Sequence, residues 1–175
     1  CGSGDDSHGT MSGAGTTSSS TAEGATTSAT GDVEFAQMMI PHHEQAVEMA
    51  DLALSNDTAS PEGKALAGQI KAAQDPEIQT MQGWLSQWGA SQSSGSMAHG
   101  SGGMMSDDQM SSLMGISGPE FDQMWLTMMI EHHEGAIEMA QDVLATTSNP
   151  EVEQLATAVV QGQEKEITTM KEMLG

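Results

Sequence analysis

Four of the six histidines fall in two adjacent pairs, His42-His43 and His132-His133, and each pair sits in the same kind of run. The first run is Met38-Met39-Ile40-Pro41-His42-His43-Glu44-Gln45-Ala46-Val47-Glu48-Met49-Ala50. The second is Met128-Met129-Ile130-Glu131-His132-His133-Glu134-Gly135-Ala136-Ile137-Glu138-Met139-Ala140, a constant 90 positions later. On a helix, Met38 and Met49 lie four before and seven after His42 and share its side, while Met39 shares the side of His43. Met128, Met139 and Met129 repeat that arrangement around His132 and His133. Imidazole and thioether groups together suit soft or borderline metal ions such as Cu(I).

For these groups to meet an ion they must point inward. Phe35, Met39, Ala46, Ala50 and Ala53 define an apolar helical stripe, and His42 and His43 lie roughly 40° and 60° to either side of its centre. Glu44, Glu48, Glu134 and Glu138 fall nearly opposite and read as a solvated face. A ferritin-type di-iron site needs inward glutamates with Glu-x-x-His spacing. No Glu-x-x-His occurs in the chain, which argues against an oxygen-activating hard-metal centre.

The partner helices place Gln74 and Glu77, with Met81, on their apolar side, and Gln163, Glu166 and Met170 repeat the pattern. A buried carboxylate needs a partner, and an inward imidazole N–H is the simplest one. This is the usual support for a metal-bound histidine. It would equally satisfy a metal-free polar layer that fixes the register of the helices, so both readings stay open from the residues alone.

These residues lie in two copies of one unit. Asp32 matches Asp122 and Phe35 matches Trp125 at the 90-residue offset. Beyond the histidines the offset is 89, pairing Pro61 with Pro150, Met81 with Met170 and Leu85 with Leu174. Helices are expected from Asp32 to Ser55, from the Ser60-Pro61 start to about Trp88, from Pro119 to about Thr146, and from the Asn149-Pro150 start to about Leu174. Pro41 and Pro76 should bend the first two. Ser106 and Gln109 form a capping box that opens a short helix over Asp107–Met114. Two short-looped hairpins predict an all-α, antiparallel four-helix bundle over 32–175: a first repeat 32–88, a linker 89–105 and a second repeat 106–175. Residues 1–31 read as a disordered Gly/Ser/Thr tether. Within the tether and linker, His8 with Met11, Met97 with His99, and Met104-Met105 read either as soft-metal scavenging groups or as plain low-complexity sequence.

The net charge is −21, with 25 acidic residues against four lysines and no arginine, so nucleic acid is excluded as a partner. The lone cysteine, Cys1, allows no internal disulfide. A chain beginning Cys1-Gly2-Ser3-Gly4 reads as a mature bacterial lipoprotein with lipid on Cys1. Any membrane link is expected only through that lipid, because no apolar run is long enough to span a bilayer.

The runs around the histidines resemble the bacterial secreted DUF305 proteins. Their pattern is Met-Met-Ile-x-His-His-x-x-Ala-x-x-Met-Ala, followed by Gln-x-x-Glu-Ile-x-x-Met-x-x-Trp-Leu. The second element stands here as Gln74, Glu77, Ile78, Met81, Trp84 and Leu85, and again as Gln163, Glu166, Ile167, Met170, Met173 and Leu174, with Met173 in place of tryptophan. The resemblance implies a ferritin-like four-helix bundle exported from the cytoplasm. It also implies copper or silver binding through Met and His, as in members linked to copper tolerance.

The expectation is therefore an extracytoplasmic copper-binding protein, taking Cu(I) with silver as a second candidate ion, that sequesters or hands on the metal. Its nitrogen ligands would be His42, His43, His132 and His133, and its sulfur ligands Met38, Met39, Met49, Met128, Met129 and Met139, with Met81 and Met170 from the partner helices. Glu77, Glu166, Gln74 and Gln163 would support them. No nucleophile or acid–base pair stands out, so no enzyme activity is expected. The alternative is a metal-free helical module whose methionines bind protein partners. A second copy of the chain or a metal-exchange partner is also open.

Overall fold

The computed structural model describes residues 20–92 and 102–175, with side chains from residue 29 onward. It is all-helical: α1 Ser20–Ser55, α2 Pro61–Trp88, α3 Asp107–Met114, α4 Pro119–Leu144 and α5 Pro150–Leu174. Each helix start has a local cause. Ser60 caps α2 by accepting from the Gly63 N–H, and Pro61 occupies a position whose N–H would be unused. Ser106 and Gln109 close the expected capping box on α3. The Asn149 side chain accepts from the Glu151 N–H ahead of Pro150 at the start of α5.

One sequence expectation changes. The first helix begins at Ser20 rather than near Asp32, so the part of the assigned tether from residue 20 onward is helical. That segment carries Ala and Glu, and its Gly24 and Gly31 weaken a helix without breaking one. Pro41 and Pro76 lie inside unbroken helices. Each proline removes a single backbone donor, and both helices continue past it. Cys1, His8, Met11, Met97 and His99 lie outside the described residues.

The core is in two apolar halves that reveal the topology. One half holds Ala46, Met49, Ala50 and Ala53 of α1, Leu66 and Ile70 of α2, Trp125 and Met129 of α4, and Ile167 and Met170 of α5. The other holds Phe35 and Met39 of α1, Trp84 and Leu85 of α2, Ala136 and Ala140 of α4, and Val152 and Val159 of α5. The late part of α1 thus meets the early parts of α2 and α4 and the late part of α5, so each hairpin is antiparallel while α2 and α4 run in the same direction. Connections as short as 56–60 and 145–149 require such antiparallel neighbours. Short helix α3 adds Met110 and Leu113 to the first half only, so that end is covered in a way the other is not.

The halves are tied across the hairpins. Trp125 donates its indole N–H to the Met49 carbonyl at 2.8 Å. The Ser60 N–H donates to both carboxylate oxygens of Asp122 at 3.1 Å, placing a negative charge at the positive end of α2. Replacing Asp122 with Ala removes a charged acceptor and leaves that N–H with a weaker one. The expected cost is about 1.5–3 kcal/mol, read as a lowered urea midpoint at unchanged slope.

Candidate metal centre

Between the two apolar halves lies a polar layer. His42, His43, His132 and His133 are each 1% exposed or less, and Gln74 and Gln163 are also buried. The layer forms where the duplicated run crosses the middle of α1 and α4. Both imidazoles of each pair turn inward, as the apolar stripe predicts. Glu44, Glu48, Glu134 and Glu138 are exposed, also as predicted.

The outer pair of rings is held from the partner helices. His43 Nε2 lies 2.8 Å from Glu77 Oε2, and His133 Nε2 lies 2.6 Å from Glu166 Oε2. An ionised carboxylate only accepts, so Nε2 carries the proton and the lone pair of a neutral ring sits on Nδ1. In both rings Nδ1 is buried with no hydrogen-bond partner among the described residues. These are the two glutamate contacts that the sequence anticipated.

The inner pair differs. The His42 and His132 rings meet face to face, with centroids 3.7 Å apart and planes inclined by 36°. His42 Nε2 donates to the Gly102 carbonyl at 2.8 Å, which again leaves Nδ1 open. Neither ring nitrogen of His132 has a hydrogen-bond partner among the described residues. Burial pushes the His42 imidazole down to about 3, with His43 and His133 adding to the effect and the Gly102 carbonyl opposing it. Burial, reinforced by His42, lowers His132 well below the ordinary histidine value too. Both rings are therefore neutral at pH 7 and keep lone pairs available for a metal.

The thioethers divide into two groups. Met39, Met49, Met81, Met129 and Met170 are fully buried and Met128 nearly so. They flank the histidine layer from the two halves of the core. Met38 is 38% exposed, and it lines a surface cleft between α1 and α4 of about 650 Å³ together with Met139, Glu34 and Asp142. The duplication explains the split. Met49 and Met128 lie at the end covered by α3, while their counterparts Met139 and Met38 lie at the end with no such cover. Among the described residues no three His, Cys, Asp or Glu side chains converge as a metal cage. The buried side chains that flank the His42–His132 pair on α1 and α4 include the thioethers of Met49, Met128 and Met129, and imidazole combined with thioether favours a soft metal.

Sequence reasoning missed the strand of linker that closes this layer. The Gln45 side chain grips the Met105 backbone at both ends, donating to its carbonyl at 2.9 Å and accepting from its N–H at 2.7 Å. Gly102 and Gly103 adopt left-handed backbone conformations that let the segment pass close over α4. A Cβ on Gly135 would overlap the Gly102 carbonyl, and one on Gly103 would overlap the Glu131 carbonyl. The available signal was the broken repeat: Gln45 and Gly135 occupy equivalent positions and differ in every property.

The family profile described as a domain of unknown function, DUF305, matches residues 32–174. Among solved structures, a DUF305 fragment from Deinococcus radiodurans is 30% identical with a TM-score of 0.77, covering 83% of this chain and 95% of that one. A DUF305 protein from Streptomyces coelicolor, described as secreted, is 32% identical with a TM-score of 0.77, covering 82% and 90%. CopM in its Cu(II)-bound form is 32% identical with a TM-score of 0.72, covering 82% and 95%. CopM is also known in Cu(I)-bound and Ag-bound forms. No curated protein matches the chain.

Proposed function

The chain belongs to the DUF305 family, and on that premise we propose that it is a copper-binding protein that takes Cu(I) at the His42–His132 layer. The observation that carries this reading is the set of open lone pairs. Five buried imidazole nitrogens, on His42, His43, His132 and His133, have no hydrogen-bond partner among the described residues; with neutral rings four of them carry a lone pair and one nitrogen of His132 carries the proton. Orphaned buried polar atoms cost roughly 1–3 kcal/mol each, a cost that a bound ion would offset. Bound metal would use them. CopM, bound to Cu(I), Cu(II) or silver, supports the same chemistry, and Ag(I) is the natural redox-inert probe.

Nδ1 of His42, and either nitrogen of His132, would donate nitrogen. Met49, Met128 and Met129 are the buried sulfur candidates on the same two helices, with Met170 contributing from α5. Met39 and Met81 belong to the other half of the core. Glu77 and Glu166 would orient His43 and His133 and raise their basicity. The ring contact means that one imidazole must turn to admit an ion, and His132, held by no hydrogen bond of good geometry, is the one able to do so. Met38 and Met139, in the acidic surface cleft, would meet the ion first. The chain carries metal rather than transforming a substrate, and it works outside the cytoplasm, sequestering copper or handing it on.

A metal-free polar layer accounts for the His43–Glu77 and His133–Glu166 bonds. It leaves the inner pair unexplained. Cu(I) titration of the full chain against a chromophoric chelator, with Zn(II) in parallel, separates the two readings. Tight Cu(I) binding that is lost in a His42→Ala/His132→Ala protein supports the copper site. Binding unchanged in that protein moves the site elsewhere, and no binding beyond weak cation uptake ends the proposal. In the same assay Glu166→Ala is expected to weaken Cu(I) binding by about 10- to 100-fold, the usual effect of removing a partner that orients a ligand.

A further inference from the structure

We propose that the linker segment Gly102–Met105 is a working part of the metal site: it positions His42 through the Gly102 carbonyl and supplies the Met105 thioether to the buried sulfur set. This rests on the copper-binding reading above and extends it to residues outside both repeats.

Three observations meet here. First, three of the four layer histidines have an Nε2 partner, and for His42 that partner is a backbone carbonyl from the linker rather than a glutamate. The Gly102 carbonyl can only accept, so it fixes the tautomer whose Nδ1 faces the layer. That is the role an orienting group plays for a metal-bound histidine. Second, the segment is seated on purpose-built positions. Gln45 clamps Met105, and only glycine at 135 leaves room for the Gly102 carbonyl. Among the described residues neither contact has a counterpart in the other repeat. Third, Met105 is 2% exposed and packs in the same half of the core as Met49, Met128 and Met129. His42 and Gln45 are three residues apart, about 4.5 Å along the helix. Gly102 and Met105 are likewise three apart, so the segment runs beside α1 and carries the buried Met105 side chain into the half of the core that holds Met49 and Met129.

The segment therefore acts on both parts of the site. With it seated, His42 is fixed and a further sulfur is in place. With it lifted, the His42 ring loses the one hydrogen-bond partner it has among the described residues, and the layer opens at the same time. Gly102, Gln45 and Gly135 are positioning residues, and Met105 is a ligand.

The test uses the full chain with Ag(I) as the metal and has a metal-free arm. In the apo protein, ring ¹⁵N shifts should show His42 held as the Nε2–H tautomer. Gly135→Ala, which displaces the segment, should yield mixed tautomers at His42 and weaken Ag(I) binding by about 10- to 100-fold. Gly68→Ala, on α2 where a Cβ meets nothing, should change neither. Met105→Leu should keep the tautomer and weaken Ag(I) binding, whereas Met114→Leu, at an exposed methionine, should not. Should Gly135→Ala fail to fold, Gln45→Ala releases the segment without a clash and carries the same expectation. An unchanged His42 tautomer in the displaced-segment protein overturns the positioning role, and unchanged Ag(I) binding by Met105→Leu overturns the ligand. If the parent chain binds no Ag(I), the copper reading and the Met105 ligand fall together, while the tautomer arm still decides whether the segment positions His42.

Discussion

The apo protein is expected to lose stability steeply as pH falls from about 7 to 5, before its carboxylates begin to titrate. His42 and His132 are the cause. Burial holds both well below the ordinary histidine value, His42 at about 3, while in the unfolded chain each returns to about 6.5. Below that value the unfolded state binds protons that the folded state refuses. Stability is therefore complete above the unfolded pKa and is lost as pH drops toward the folded one. Each such histidine contributes a slope of up to about 1.4 kcal/mol per pH unit. Two of them remove roughly 2–4 kcal/mol by pH 5, a large part of the 5–15 kcal/mol typical of a domain.

A competing effect runs the other way. The chain carries a net charge of −21, and neutralising its acids relieves self-repulsion. That relief arrives near pH 4, where Asp and Glu titrate, so the window from pH 7 to 5 isolates the histidines. Urea midpoints at pH 7.5, 6 and 5 read the effect directly. A midpoint that holds or rises between pH 7 and 5 would mean that the inner imidazoles accept protons in the folded state and are not dry. The same low proton affinity bears on metal uptake. A histidine of ordinary proton affinity loses its metal as pH falls through about 6.5, whereas the buried inner pair keeps its lone pairs free in mild acid.

How much of this was legible in the chain depends on the kind of signal. The inward turn of His42, His43, His132 and His133 followed from helical periodicity, and so did the partnership with Glu77 and Glu166, because a carboxylate on an apolar stripe needs a donor. Duplication then fixed the bundle. Three things were not legible, each for a physical reason. The helical start at Ser20 was hidden by a composition that reads as tether. The separation of Met38 and Met139 from the buried methionines depends on α3, which covers one end of the bundle and has no copy at the other. Periodicity puts Met38 on the same side as His42 but cannot say which end is covered. The seating of Gly102–Met105 arises from long-range contacts made by a Gly-rich stretch with no pattern of its own. Its trace in sequence was the Gln45/Gly135 mismatch, visible only when the repeats are compared for what differs.

The sharpest separation between a metal site and a structural polar layer is His132→Leu, which is expected to stabilise the apo protein. A structural histidine repays its burial through hydrogen bonds, so removing it should cost stability. His132 has none of good geometry: both ring nitrogens are buried without a partner among the described residues, and the ring packs against the His42 imidazole. Replacing unsatisfied polar atoms by an apolar side chain of similar size recovers roughly 1–3 kcal/mol, and leucine also removes one of the two acid-sensitive groups. The apo melting temperature should therefore rise by several degrees, since about 1 kcal/mol corresponds to ~2–4 °C at this chain length. Saturating Ag(I) should reverse the order. A ligand at 100 times its Kd adds about 2.7 kcal/mol to the folded state, a gain open to the parent chain and largely closed to the variant. Melting both proteins with and without Ag(I) decides the matter. A variant less stable than the parent without metal, and equally stabilised by Ag(I), would make His132 a structural group. Crossing melting curves would identify a buried ligand kept at the expense of stability, as expected of a residue retained for function.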